Sequence, residues 1–371
     1  MYAGLCLSDP HPDLAGDGCS IRTISSARFA GRYRLVDFML SNMVNSNIFT
    51  IGMILNSHYQ SLIGHIGMGK EWDLARKSGG ITFFPPYLAD VRQTVNSELD
   101  GPLQRAAEFT AESDAEFLVL ADSSVVYNMD YRAAAEIHRK SGVDVTAIYT
   151  KKHISAIERE NAVVFDIDES GRVRGVGKAP HTSGILDLSL GAYIMHKKHF
   201  IGLTAAEKNC GMLRFSRVLI ANALERLNVS AYEFRGYSAQ ISSVETFYNY
   251  NMEMLDTEKR KSLFDFEGRR IYTTRRDSLP TKYGRQAEIK NSLIADGCQI
   301  DGTVINSIIC RNVRIGPGAV VKNCILQDDT LVEKKATLEC IVADRSVIIS
   351  ENRGMVGYRT YPIYIEMNRV I

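Results

Sequence analysis

Residues 28–48 read RFAGRYRLVDFMLSNMVNSNI, and the change of pattern within this stretch indicates the fold of the first part of the chain. Its opening is basic, with Arg28, Arg32 and Arg34 close together. Apolar residues then recur at helical spacing, at Val36, Met39, Leu40, Met43 and Val44. The apolar run IFTIGMIL follows at residues 48–55. The stretch therefore predicts a cationic loop, a buried helix and a strand, and such a loop either binds anions or is solvated.

The composition is that of a globular protein without a strongly charged partner. Of 371 residues, 45% are hydrophobic and 23% are charged, and the net charge is +1. This balance argues against nucleic acid or an anionic membrane as a partner. The seven cysteines form no CxxC pair, which favours free thiols in a cytoplasmic protein. We expect neither a signal peptide nor a membrane span, because the first residues lack a basic segment and no apolar run is long enough.

Strand and helix patterns alternate after the opening stretch. FLVLA at residues 117–121 reads as a buried parallel strand that ends in polar residues. A helix is predicted over 131–140 and another strand over 143–149, which indicates an open α/β sheet. Residues 162–176 read instead as a hairpin around Glu169-Ser170-Gly171. Ligands of such sheets bind beyond the carboxyl ends of the strands.

The last part of the chain is repetitive. Apolar residues recur every six positions, at Ile294 and Ile300 and again at Ile309, Ile315 and Val321. This period predicts a β-helix, although a small β-sandwich is an alternative, and breaks near Asn306 and after Leu326 predict irregular coils. All eight histidines precede the repeat, which argues against histidine-based acyl transfer there. We expect three parts: a first domain at 1–261, a charged connector at 262–286 and the β-helix at 287–371.

Residues 29–42, FAGRYRLVDFMLSN, resemble the segment Phe-Gly-Gly-Lys-Tyr-Arg-Ile-Ile-Asp-Phe-x-Leu-Ser-Asn of bacterial ADP-glucose pyrophosphorylases, the glucose-1-phosphate adenylyltransferases. Further matches follow in order: YNMDY at 127–131, SLGAY at 189–193 and SVETFYNYNM at 243–252. The resemblance implies an α/β fold with an N-terminal Rossmann-like nucleotidyltransferase (GT-A-like) mixed sheet. It also implies a C-terminal left-handed parallel β-helix of hexapeptide repeats.

The segment at residues 7–12 departs from the catalytic family. Where the family has a Gly-rich loop that binds the nucleotide triphosphate, this chain has LSDPHP. Backbone N–H groups and an arginine cradle phosphate in such loops. Prolines remove N–H donors, and Asp9 would repel a triphosphate. We expect no intact nucleotide loop here.

Two metal-binding positions of the family lack their carboxylates. Counting back from Asp130 to the family's magnesium aspartate gives Ser124, and the second aspartate is replaced by Gln240. Neither can replace a hard anionic ligand. Asp122 offers an alternative if the loop has slipped, and otherwise it is a strand-end or turn residue. We therefore expect no metal and no cofactor in this chain.

The family's lysines are only partly kept. The sugar-phosphate lysine survives as Lys178, but the glutamate before it is now Gly177, and Ser189 remains in the SLGAY segment. The lysine that precedes the opening motif is replaced by Ile24. A phosphoryl-transfer enzyme needs cations to neutralise developing charge, so these losses argue against an active catalyst.

The arginines suggest a different site. In the family, an effector pocket lies between the basic stretch before the opening helix and the β-helix. The matching positions are Arg22, Arg28 and Arg34, with Lys334 as the candidate from the β-helix. Guanidinium groups suit phosphate dianions, so a sugar-phosphate or nucleotide effector is expected. The alternative is that these arginines pair with carboxylates or face solvent.

Together these features resemble the GlgD-type paralogues, the non-catalytic relatives of the adenylyltransferase. The resemblance implies a regulatory subunit that raises the activity of a catalytic partner in a homo- or hetero-tetramer. That partner would make ADP-glucose and pyrophosphate from ATP and glucose 1-phosphate with Mg²⁺. One alternative is a weakly active adenylyltransferase that uses Asp122 and Lys178. Another is a stand-alone sugar-phosphate sensor.

Overall fold

The computed structural model describes residues 2–7, 23–55, 58–86, 100–159, 161–180, 184–206 and 215–371. The helices in these ranges are α1 (Leu35–Asn45), α2 (Gln60–Ile66), α3 (Asp100–Glu112), α4 (Tyr131–Ser141), α5 (Ala156–Arg159), α6 (Lys197–Ala206), α7 (Phe215–Arg226), α8 (Val244–Glu253) and α9 (Thr257–Phe264). The strands up to α9 are β1 (Tyr2–Leu7), β2 (Arg28–Phe29), β3 (Tyr33–Arg34), β4 (Thr50–Ile54), β5 (Gly80–Phe84), β6 (Phe117–Asp122), β7 (Val125–Tyr127), β8 (Val145–His153), β9 (Val163–Ile167), β10 (Val173–Lys178), β11 (Ile185–His196), β12 (Val229–Glu233) and β13 (Ser238–Gln240).

The remaining strands are short: β14 (Lys282–Tyr283), β15 (Glu288–Lys290), β16 (Leu293–Ile294), β17 (Gln299–Ile300), β18 (Thr303–Ile305), β19 (Ile308–Ile309), β20 (Arg314–Ile315), β21 (Val320–Lys322), β22 (Ile325–Leu326), β23 (Leu331–Val332), β24 (Thr337–Glu339), β25 (Ile341–Ala343), β26 (Ile348–Ile349), β27 (Gly354–Val356) and β28 (Ile363–Ile365).

A nine-stranded mixed sheet forms the centre of the N-terminal part. β1 lies between β4 and β6 and runs parallel to both. β5 extends the parallel side, whereas β11 joins the other side antiparallel to β6. β9 and β10 form the hairpin that the sequence predicts. The predicted mixed α/β sheet is confirmed.

Helix α1 buries its apolar face against one side of this sheet, as its spacing predicts. Val36, Met39, Leu40 and Met43 belong to one buried apolar cluster with Cys6 of β1. The helix begins where Asp37 accepts the backbone N–H of Arg34 at 2.8 Å, which satisfies a donor that the first turn leaves free. α3, α6 and α7 contribute to a second cluster that contains Leu5, Leu118 and Leu120. Apolar burial on both sides therefore holds the sheet in place.

The basic segment before α1 is a β-ribbon, so the prediction of a cationic loop there was wrong. β2 and β3 pair antiparallel, with Arg28 opposite Arg34. Gly31 takes a φ of 74° in the connecting turn, a conformation that glycine adopts without steric cost. Arg28 and Arg34 are buried, and only Arg32 is exposed.

Residues from Lys282 onward form three five-stranded parallel sheets. Each chain segment leaves one sheet and enters the next, and equivalent positions stack in register, as at Thr303, Val320 and Thr337. Val304, Val321 and Leu338 fill the interior. This is the predicted left-handed β-helix, and consecutive strands in different parallel sheets rule out a β-sandwich. α9 crosses residue 261, and β14 lies within the predicted connector. The two boundaries between the three predicted parts stay predictions.

An apolar interface joins the N-terminal part to the β-helix. Phe29, Phe38 and Phe247 share one buried cluster with Ile308 and Ile325. At its edge the hydroxyl of Tyr248 donates to the backbone carbonyl of Asn323 at 2.8 Å. Because side chains of both parts complete this cluster, the interface fixes how the β-helix lies against α1 and α8.

Candidate functional site

The carboxyl ends of β1 and β6 meet at one edge of the sheet. Leu7, the last residue of β1, pairs with Asp122, the last residue of β6. Ser123 donates its hydroxyl to the carbonyl of Leu7 at 2.8 Å, and its Oγ lies 2.6 Å from Ser25 Oγ. Open α/β sheets bind their ligands at this edge. Residues 8–12, which replace most of the family's nucleotide loop, and Arg22 lie outside the described residues.

Asp122 completes a turn at this edge. Its Oδ1 accepts the backbone N–H of Ser124 at 2.7 Å, and the carboxyl group is buried. Gly191 of β11 lies against it with a φ of +63°, and a Cβ there would come within 2.8 Å of Asp122 Cβ. Ser124 is fully buried, and its hydroxyl has no hydrogen-bond partner among the described residues. Asp122 thus lies in a turn at the end of its strand, which was the alternative to metal binding. That it binds a metal stays a prediction.

The two positions that lack metal carboxylates are neighbours in space. β7 and β13 form a two-stranded antiparallel ribbon in which Val125 pairs with Gln240, directly after Ser124. Asp122 is the one carboxylate among Asp122, Ser124 and Gln240. Mg²⁺ takes oxygen ligands in a strict octahedral arrangement. These three side chains therefore do not fit a magnesium site of the kind that the family uses.

No cluster of three or more potential metal-ligating side chains occurs in the part of the chain that the structure describes. Across the same residues, no helix is both long and apolar enough to pass through a bilayer. The five cysteines in these ranges are buried thiols, as expected. Burial raises the pKa of the Cys6 thiol well above its usual value, and the nearby Asp122 charge acts in the same direction.

Ser189 lies at a bulge in β11. The register of β11 against β8 shifts between Ser189 and Ala192, and Ser189 Oγ accepts the backbone N–H of Gly191 at 3.1 Å. The Ser189 hydroxyl also lies 3.2 Å from the hydroxyl of Tyr193, whose pKa burial raises to about 12. The bulge therefore directs Ser189 toward the same region as Gln240.

Ser189 and Gln240 line one small cavity. Its volume is about 20 Å³, and Thr150, Ser238 and Ser242 contribute further polar groups to its wall. A cavity of this size holds about one water molecule. A hexose phosphate has no room there. The structure therefore brings two of the predicted site residues together around a space that is too small for a sugar phosphate.

A polar network that the sequence did not predict lines one side of this cavity. Lys152 Nζ donates to the Tyr250 hydroxyl at 2.6 Å and to the Ser238 carbonyl at 3.2 Å. The Tyr250 hydroxyl in turn donates to Glu158. Burial lowers the pKa of Lys152, an effect that Glu158 partly offsets. Burial alone would raise the pKa of Glu158, but hydrogen bonds from Tyr250 and Ser155 outweigh it and lower that pKa.

The other predicted substrate residues lie away from the cavity. Lys178 is exposed at the end of β10, opposite Val163, and does not line the cavity. Ile24 is buried in the apolar cluster that contains Phe29. An isoleucine side chain can neither bind nor neutralise phosphate. Neither Lys178 nor Ile24 lines the cavity that Ser189 and Gln240 share.

Arg28 meets an acidic residue of the β-helix. Its guanidinium donates to Asp328 Oδ2 and, at 3.1 Å, to the backbone carbonyl of Arg32. Arg276 lies 3.8 Å from the same Asp328 oxygen. Burial and the nearby Arg28 charge lower the pKa of Arg276. Asp328 is 300 positions from Arg28, and no local pattern in the sequence marks it as a partner.

Arg34 and Lys334 have different surroundings. Arg34 donates to the carbonyl of Ser61 at 2.7 Å and to its hydroxyl at 3.1 Å. Beside Arg34, His65 Nε2 lies 2.6 Å from Asp37, and burial lowers the pKa of His65 although Asp37 opposes this. Lys334 is exposed at the corner between β23 and β24. The β-helix side chain that contacts Arg28 is Asp328 rather than Lys334.

Comparisons with known proteins agree with this architecture. A family model described as "Nucleotidyl transferase" matches residues 26–257, and one described as "GlmU-like, C-terminal hexapeptide" matches residues 278–360. The chain is 31% identical to the "Glycogen biosynthesis protein GlgD" of Bacillus subtilis over 94% of its own length and 91% of that protein.

Glucose-1-phosphate adenylyltransferases are also similar. The chain is 29% identical to the enzyme of Fervidobacterium nodosum, over 90% of its own length and 80% of that enzyme. It is 29% identical to the enzyme of Thermosipho africanus, over 80% of its own length and 72% of that enzyme. The similarity thus extends over both the sheet domain and much of the β-helix.

Proposed function

The chain belongs to the nucleotidyltransferase family and, within it, to the GlgD-type glycogen biosynthesis proteins, and from this premise we propose that it is a regulatory, non-catalytic subunit of glucose-1-phosphate adenylyltransferase. Its role is in glycogen biosynthesis. Its catalytic partner converts ATP and glucose 1-phosphate to ADP-glucose and pyrophosphate with Mg²⁺. This chain acts in the cytoplasm and raises the activity of that partner by binding it in a hetero-oligomer.

The observation that carries the proposal is the small volume of the cavity between Ser189 and Gln240. At about 20 Å³ it has no room for glucose 1-phosphate. The adjacent positions Ser124 and Gln240 supply no carboxylate for a magnesium ion. Metal ions typically supply several kcal/mol of transition-state stabilisation in phosphoryl transfer. Without the substrate pocket and the metal ligands, this chain contributes structure to the complex and not chemistry.

The scaffold, in contrast, is well packed in the residues that the structure describes. α1 is buried against the sheet, and the β-helix packs on the N-terminal part through a shared apolar cluster. A chain with a sound scaffold and no catalytic pocket can act through its surface. Activation requires that it bind the active conformation of the partner more tightly than the inactive one. A tetramer, homo- or hetero-oligomeric, is the assembly that we propose.

A phosphate effector remains part of the proposal, with sugar phosphates and nucleotides as the candidates. Arg22 lies outside the described residues, and Lys334 is exposed. Arg28 is already paired with Asp328, so an anion that binds there competes with a buried carboxylate. We therefore expect Arg22 and Lys334, more than Arg28, to respond to such an effector.

The test combines activity and assembly. The pure chain, given ATP, glucose 1-phosphate and Mg²⁺, should form no ADP-glucose, whereas adding it to a catalytic subunit from the same cell should raise turnover and reduce the elution volume. Turnover by the pure chain that is lost in Asp122→Ala would instead identify a weak enzyme. A catalytic subunit whose activity and elution volume do not change on mixing would refute the regulatory role.

A further inference from the structure

We propose that Tyr250 is a resident plug: its side chain takes the place of a hexose phosphate beside Ser189 and Gln240 and keeps an otherwise suitable pocket closed. The proposal rests on the non-catalytic function proposed above. According to this proposal, one side chain of α8 excludes the sugar phosphate, and the missing metal ligands are not the reason for its exclusion. The proposal also names the ligand class that the pocket would take once opened, a hexose 1-phosphate.

Tyr250 is held by Lys152 and Glu158. Its side chain is 5% exposed, and Lys152 Nζ lies 4.4 Å from the centre of its ring. The hydroxyl accepts from Lys152 at 2.6 Å and donates to Glu158. Burial raises the pKa of Tyr250, and Glu158 raises it further, so the hydroxyl stays protonated and keeps its donor at neutral pH. These contacts fix the ring in one orientation.

Lys152, Glu158 and Tyr250 form the wall between two spaces. All three line the small cavity of about 20 Å³ and also the open groove of about 920 Å³ between α8 and the first coils of the β-helix. A side chain that borders both spaces separates them. Lys152 and Glu158 come from β8 and α5, and Tyr250 from α8. Removing the ring of Tyr250 would therefore join the small cavity to the groove.

The chemistry around the ring suits a phosphorylated sugar. Glu158, Gln240 and Ser189 are a carboxylate, an amide and a hydroxyl, the groups that hydrogen-bond sugar hydroxyls. Lys152 supplies an ammonium group, which binds phosphate as a point charge. With the ring in place, the Lys152 and Glu158 groups bind the Tyr250 hydroxyl instead. Without the Tyr250 side chain, Lys152 keeps its hydrogen bond to Ser238 and Glu158 keeps those from Ser155, but each loses one partner and can bind a ligand group in its place.

The decisive experiment is calorimetry of glucose 1-phosphate with the full chain. Wild type and Tyr250→Phe, which keeps the ring and loses only the hydroxyl, should show no binding at this cavity. Tyr250→Ala should bind glucose 1-phosphate with an affinity at least tenfold above the weakest binding that the wild-type titration could detect. The gain should disappear in Tyr250→Ala combined with Ser189→Leu, which refills the cavity and distinguishes it from any effector site elsewhere.

A second probe reports the cavity without a sugar. Phenol should raise the melting temperature of Tyr250→Ala, because an apolar ring refills the space, and should leave Tyr250→Phe unchanged. If Tyr250→Ala does not fold, Tyr250→Leu replaces it in both measurements. If the folded Tyr250→Ala or Tyr250→Leu variant binds neither glucose 1-phosphate nor phenol, Tyr250 does not block a pocket and the proposal is refuted. The proposal is also refuted if wild type binds glucose 1-phosphate and Ser189→Leu abolishes that binding.

These outcomes are separable from those of the proposed function. A chain that activates its catalytic partner but gains no ligand in Tyr250→Ala keeps its regulatory role and has no plug. Turnover by the wild-type chain alone removes both, since a plugged pocket cannot hold substrate. A gain of binding in Tyr250→Ala without any effect on the partner supports the plug and refutes the regulatory role.

Discussion

Arg28 and Asp328 link two distant parts of the chain through a fully buried ion pair. Both side chains are less than 5% exposed, and Asp328 also accepts the backbone N–H of Arg311 at 3.3 Å. A buried charge without its partner is costly, although the pair itself contributes little compared with apolar residues of the same size. Arg28 is therefore a structural arginine in this conformation, and its guanidinium is not available to a ligand without displacing Asp328.

Asp328→Ala tests whether the ion pair between Arg28 and Asp328 has a structural role. We expect the free energy of unfolding to fall by about 3–5 kcal/mol, because Arg28 stays buried without its carboxylate. Denaturant titration measures the change. The matched control is Arg28→Met combined with Asp328→Leu, which removes both charges and should cost far less. Equal losses in the two variants would show that packing, and not the unpaired charge, determines the stability of this contact.

The β-helix shows how single elements tolerate an irregular sequence period. Asn291, Asn306 and Asn323 occupy the same corner in successive coils, with φ values of 44°, 46° and 50°. Asparagine tolerates this left-handed region better than most residues. Each such corner turns the chain within few residues, so the strands stay in register although the spacing in sequence changes. The irregularity predicted near Asn306 is thus confined to corners, and the sheets continue unbroken past it.

Asn323→Val tests the corner. A β-branched residue is strained at positive φ, so we expect a loss of about 1–3 kcal/mol in the free energy of unfolding. Asn323→Gly is the control, since glycine adopts this conformation freely and both variants lose the same amide group. The melting temperature of each variant measures the effect. A valine variant as stable as the glycine variant would mean that the corner relaxes to another conformation.

At the scale of the whole molecule, neighbouring residues of β22 serve two different cores. Ile325 packs into the interface cluster with Phe29 and Phe247, whereas Leu326 lies in the interior of the β-helix. Successive side chains of a strand point to opposite sides, which explains this division. Because side chains of both parts share the interface cluster, we expect the N-terminal part and the β-helix to unfold together.

Ile325→Ala should weaken this coupling. Removing a buried isoleucine side chain costs about 2–5 kcal/mol, here within the interface. We expect Trp72 fluorescence, from the single tryptophan of the chain, and far-UV circular dichroism to give one common unfolding midpoint in wild type and separate midpoints in the variant. Leu326→Ala should lower stability by a similar amount. Coincident midpoints in Ile325→Ala would show that the interface does not couple the two parts.

The candidate site was only partly predictable. Sequence reasoning identified Ser124, Gln240 and Ser189, because the family motifs occur at fixed offsets along the chain. It missed Lys152, Glu158 and Tyr250, which act together although Lys152 and Tyr250 lie 98 positions apart. It also placed Arg28 in a loop and left open whether its guanidinium binds an effector, pairs with a carboxylate or faces solvent; the structure shows the pair with a carboxylate. No local pattern distinguishes an arginine that binds an effector from one that a distant carboxylate neutralises.

The sequence by itself determined the helix after the opening stretch, the β-helix and the absence of the metal carboxylates. Those properties depend on residue type and on spacing within a few turns of chain, and both can be read locally. Only the tertiary structure decided that Asp328 pairs with Arg28 and that Tyr250 fills the space beside Ser189. Such contacts depend on how the sheet, α8 and the β-helix pack together. The side chains that meet there are far apart in sequence, and no local sequence pattern links them.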